Sequence, residues 1–186
     1  MTKDRLTPNQ TAKALLASLE GFATGLDDDI DYILNITGDP KLRLKKSHIK
    51  NELIYLHIYI ILQAAYCEFN TSSYNEIESY FKEELKQAIE KKFSKFFSQL
   101  NMANILKALE DYTITMNQAL DTKQDETAVI CTFAQHVSKR VLGDDINCDL
   151  RYLAYFGLIY GKALTFFRDF IRNNIELVTN DLAPGS

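Results

Sequence analysis

Two charged runs near the N-terminal end carry the residue types best suited to chemistry. Asp27, Asp28, Asp29 and Asp31 crowd together in the outward form of a D-D-x-x-D motif, whose carboxylates can hold Mg²⁺ on a diphosphate. Asp27, Asp28 and Asp31 are the candidate metal ligands. No second acidic motif accompanies them, and the chain is short for a prenyl-transfer enzyme. Helix electrostatics account for the run equally well. If a helix restarts after Gly25, these side chains occupy its first turn, where the macrodipole favours negative charge.

The second run is basic: Lys41, Arg43, Lys45, Lys46 and Lys50, with His48 among them. It falls in the N-terminal half of a helix, where the dipole opposes cations. It therefore needs a negative partner or a function. A turn at Gly38–Pro40 would place residues equally distant from it side by side. Asp31 then lies near Lys45, and Asp27 near Ile49 and Lys50, so that the two runs neutralise each other. The alternative is an acidic or phosphate-bearing partner at Lys41–Lys50.

The segment Arg43-Leu-Lys-Lys-Ser-His48 resembles the R-x4-6-H pattern of HEPN ribonucleases, which are also α-helical. The resemblance covers six residues and implies Arg43 and His48 as the pair for metal-independent RNA cleavage. Leu44 stands where that pattern often has a polar residue.

The other histidines offer less. His48, Glu52, His57 and Glu68 share one expected helix, but the Glu-x-x-His spacing of di-metal bundles is absent. At about 100° per residue, His48 and His57 fall on opposite faces. His57 reads as a core histidine with a hydrogen-bond partner, and His136 as a residue at the margin of its helix. No Ser–His–Asp or Cys–His arrangement can be read from spacing. Cys67, Cys131 and Cys148 show no CxxC spacing, and two of them sit in apolar helical runs as small hydrophobes. A reducing, cytoplasmic setting is expected.

Near the C-terminal end, Ala154, Gly157, Gly161 and Thr165 form a small-residue strip that runs up to Arg168 and Arg172. Glycine inside a helix costs roughly 1 kcal/mol relative to alanine, so something must approach closely there. A neighbouring helix is the simpler occupant, with Gly161 a close-contact position. A small apolar carboxylate held by Gly157, Gly161, Arg168 and Arg172 is the alternative.

The elements that must position these groups are helices. Thr7 caps a helix whose first position is Pro8. Ala12, Leu15, Leu16, Leu19, Phe22, Ala23, Leu26, Ile30, Ile33 and Leu34 continue its apolar stripe, with a run-on or a short break at Gly25. Gly38 ends it and Asp39 caps the next. The second helix runs from Pro40 to about Phe69. From Leu53 onward it is apolar nearly all round, so it is either the central helix of the domain or turns Tyr55, Tyr59 and Tyr66 toward a second subunit. Ser73-x-x-Glu76 has the form of a capping box for the third helix, whose inward residues include Phe81 and Phe93. The fourth uses Ile105, Leu109, Tyr112, Met116 and Leu120. The fifth uses Ile130, Ala134 and Val137 and stops at Gly143. The last runs from about Asp149 to Asn180.

These signals predict an all-α fold, an up-and-down bundle of about six helices in one domain over 7–180, followed by a frayed or added tail at 181–186. Hydrophobic content of 46%, charged content of 25% and seven glycines in 186 residues fit a folded helical chain. The net charge of −4 argues against a chain-wide nucleic-acid footprint. At 14 residues, Leu53–Tyr66 is too short to span a bilayer. The expected function is a non-catalytic helical interaction or regulatory module, homodimeric, with no cofactor.

Overall fold

In the computed structural model, the described residues are 3–23, 25–38, 40–91, 97–122, 125–143 and 150–178. The expectations for Asp39, Phe93, Cys148, the Lys41 side chain and the 181–186 tail lie outside them. The architecture is helical: α1 (Pro8–Ala23), α2 (Leu26–Thr37), the single turn α3 (Pro40–Arg43), α4 (Lys46–Glu68), α5 (Thr71–Glu90), α6 (Met102–Asp121), α7 (Glu126–Leu142) and α8 (Leu150–Asn174). Apart from the turn α3, the described residues hold seven helices rather than six. The extra one arises at Gly25, where the first stripe breaks and α2 starts with Asp27, Asp28 and Asp29 in its first turn.

The ends of the helices follow local chemistry. Thr7 Oγ1 accepts from the Gln10 amide at 3.3 Å while Gln10 Oε1 accepts from the Thr7 amide at 3.0 Å, a reciprocal cap ahead of Pro8. Gly38 closes α2 with φ 60° and donates its N–H to the Leu34 carbonyl, a conformation glycine adopts without Cβ strain. Gly143 ends α7 with φ 101°. Asn70, one turn before the expected Ser73 box, caps α5 by accepting from the Ser73 amide at 2.9 Å. The Pro40–Phe69 helix is interrupted at Leu44–Lys45, so α4 begins at Lys46 without a side-chain cap.

Helix α4 is the central element. It touches α1, α2, α5, α6, α7 and α8, which is why Glu52–Leu62, Ala64 and Ala65 are all buried. On its tyrosine side, Tyr55 and Tyr59 are buried within the domain itself. Tyr59 packs on Tyr112 of α6 and Phe133 of α7, with ring centroids 5.4 and 5.5 Å apart. Only Tyr66 reaches solvent. Two short strands, β1 (Asp4–Leu6) and β2 (Ile175–Leu177), pair in parallel with Asp4 opposite Ile175. At three residues each, they are too brief to show an alternating pattern in the sequence. No helix of the described residues is long and apolar enough to cross a membrane.

Candidate functional site

The two charged runs meet as a ladder. Lys50 Nζ donates to Asp27 Oδ1 and Lys46 Nζ to Asp31 Oδ1, each at 3.0 Å. The hydrogen bond from Lys50 holds the Asp27 carboxyl below its ordinary range. The register at Lys50 is the expected one, whereas Asp31 takes Lys46 in place of Lys45, because the break at Leu44–Lys45 resets the helix. Asp28 is exposed. Among the described residues, no three of His, Cys, Asp and Glu gather where they could hold a metal ion.

Arg43 and His48 sit on different elements, α3 and α4, and line different recesses. Arg43 is exposed. His48 Nε2–H donates to the Arg140 carbonyl at 3.0 Å, near the end of α7, where backbone carbonyls lack helical partners. His48 therefore caps a neighbouring helix.

The small-residue strip of α8 faces outward. A Cβ placed on Gly161 meets nothing within 4 Å, and one on Gly157 meets Ile130 Cγ2 at 3.3 Å. The close-contact expectation for Gly161 is thus corrected. Gly157, Leu158, Gly161, Thr165 and Phe166 line an open groove of about 550 Å³, with Lys162 and Asp169 as its charges. Leu158 and Phe166 are each 53% exposed. Arg168 and Arg172 are committed elsewhere. Their Nε atoms donate to the two oxygens of Glu68, each at 2.6 Å. Burial would raise the Glu68 pKa, but these bonds from Arg172 and Arg168 hold it below the ordinary value. They also offset a carboxylate at the C-terminal end of α4, where the dipole disfavours negative charge.

Spacing gave no sign of a second polar site, which lies between α4, α6 and α7. Glu52 is 8% exposed in the otherwise apolar α4. Arg140 of α7 donates to it from Nε at 2.9 Å and from Nη2 at 3.2 Å. Arg140 Nη1 reaches Asp111 of α6 at 2.6 Å, and His136 Nε2 donates to the same carboxylate at 2.9 Å. Burial would raise Asp111, yet the bonds from Arg140 and the charge and bond of His136 keep its pKa low. The guanidinium also lies 5.2 Å from the centre of the Tyr112 ring, a cation–π arrangement. Glu52 and Arg140 open onto a recess of about 300 Å³, walled by His48, Asn51, Tyr55, Asn104 and Lys107. The sequence held one signal for it: a carboxylate in a helix buried on every side requires a cation from another element.

His57 is fully enclosed. Its Nδ1–H donates to the Leu53 carbonyl at 2.6 Å, its ring lies 4.3 Å from that of Phe22, and its buried Nε2 has no partner. Burial brings its pKa down to about 4 despite the bond to Leu53. The two described cysteines, Cys67 and Cys131, are exposed and free, so they are not the buried hydrophobes expected.

No protein family, curated protein or solved structure matches the chain.

Proposed function

We propose that the chain is a non-catalytic helical interaction module that works as a homodimer through the outer face of α8. The observation that carries this reading is the charge pattern of the α8 groove. Leu158 and Phe166 are solvent-exposed around an open glycine, and the groove holds one cation, Lys162, and one anion, Asp169. These two lie about two turns apart on one face. Isologous dimers require a patch complementary to itself. If two α8 helices cross antiparallel about an axis near Thr165 and Phe166, Lys162 of each copy faces Asp169 of the other. The exposed thiols of Cys67 and Cys131 suit a reducing, cytoplasmic setting.

Light scattering on the purified chain tests this reading. The wild type should be dimeric at micromolar concentration. Lys162→Glu should be monomeric, because two carboxylates then face each other. Lys162→Glu combined with Asp169→Lys should dimerise again. A wild type that stays monomeric at millimolar concentration, or a double variant no better than the single one, would overturn the proposal.

A further inference from the structure

The recess between α4, α6 and α7 has no part in the α8 face and holds a built polar wall. We propose that it binds a small polar monocarboxylate. Its back wall is preorganised, because Arg140 is clamped by Glu52 and Asp111 through three hydrogen bonds. A guanidinium has five N–H donors, so two remain on a side chain that lines the recess. Buried ion pairs are often no more stabilising than apolar replacements of the same size. Fold stability alone therefore gives little reason for this network to open onto a cavity.

The charges that line the recess define the ligand. Arg140 is shared between Glu52 and Asp111, which leaves Lys107 as the cation of the lining still to be matched. Lys107 makes no ion pair among the described residues. A single negative charge balances it. A dianion such as phosphate would bring its second charge toward the fixed Glu52 carboxylate, and like charges at close range repel. The remaining lining is polar and neutral: the amides of Asn51 and Asn104 and the hydroxyl of Tyr55. These groups suit a ligand with a hydroxyl or carbonyl beside its carboxylate. A volume of about 300 Å³ is roughly that of ten waters in the liquid, so the ligand is small.

The test is a ¹H–¹⁵N NMR titration of the full chain with lactate, acetate and inorganic phosphate at constant ionic strength. Lactate should shift the side-chain amides of Asn51 and Asn104 saturably, more tightly than acetate and more tightly than phosphate. Lys107→Gln, a surface change, should weaken lactate binding about tenfold or more with an unchanged melting temperature. Three results would overturn the proposal: no saturable shift with lactate, equal binding by Lys107→Gln, or phosphate as the tightest of the three.

Discussion

Glu52 and Arg140 lie 88 positions apart in the chain and meet as a two-pronged ion pair, with Nε on Oε2 and Nη2 on Oε1. The pair ties the central helix α4 to α7, and Asp111 extends the tie to α6. Removing one member of a buried pair leaves the other charge uncompensated, at a cost of about 3–5 kcal/mol. Asp111 retains part of the compensation here, so Glu52→Ala should fall near the lower end of that range, about 3 kcal/mol. Urea unfolding measures it, and a loss below about 1 kcal/mol would mean that Arg140 reaches water once Glu52 is gone.

The ladder of Lys46–Asp31 and Lys50–Asp27 should behave differently. Both aspartates are 62% exposed, and exposed pairs contribute only about 0–1 kcal/mol each. Reversing both lysines to glutamate should destabilise the fold only slightly in dilute buffer. Most of that cost should vanish in about 1 M NaCl, where screening acts within a few ångströms. A cost that persists in salt would contradict the superficial placement.

His57 gives stability a pH dependence. Its pKa is about 4 in the fold against an ordinary 6.5, so the unfolded chain takes up the proton first as pH falls. Its contribution is complete above pH 6.5 and is lost progressively between 6.5 and 4. The difference corresponds to about 3 kcal/mol. His57→Leu should flatten this part of the unfolding free energy against pH, measured as the difference from wild type. Parallel curves for the two proteins would show that protonation at another residue governs that range.

Gly161 and Gly157 should respond differently to the same substitution. In the Lys162→Glu background, where no second copy covers the groove, Gly161→Ala adds a methyl in open space and should gain about 1 kcal/mol of helix stability. Gly157→Ala must push Ile130 aside from 3.3 Å, so its gain should be smaller or negative. Denaturant midpoints at unchanged m-value report both. A destabilised Gly161→Ala would mean that the groove is filled within a single chain.

Much of this fold is legible in short-range chemistry. The Thr7 cap, the Gly38 and Gly143 stops and the all-round burial of α4 each follow from a few neighbouring residues. Even the register of Lys50 on Asp27 follows once the hairpin at Gly38–Pro40 is placed. The break at Leu44–Lys45 is not legible, because neither residue is a helix breaker, and it shifts Asp31 from Lys45 to Lys46. The α8 strip misled for a related reason. Periodicity shows that Gly157 and Gly161 share a face, but not whether a helix or solvent lies opposite. The polar recess was hidden because Arg140 finds Glu52 and Asp111 across long separations, and spacing carries no information at that range.

The parallel pairing of β1 with β2 bears on how the chain is made. Residues 4–6 leave the ribosome well ahead of their strand partner, residues 175–177, which emerges only after α8 is complete. Through most of synthesis the N-terminal segment has neither a ladder to join nor the C-terminal end of α8 to lie beside. Of the helices that precede α8, α1 touches β2, so its packing too is completed only when residues 175–177 are in place. The strand pair therefore closes late, joining the first and last described elements only when residues 175–177 are free of the ribosome.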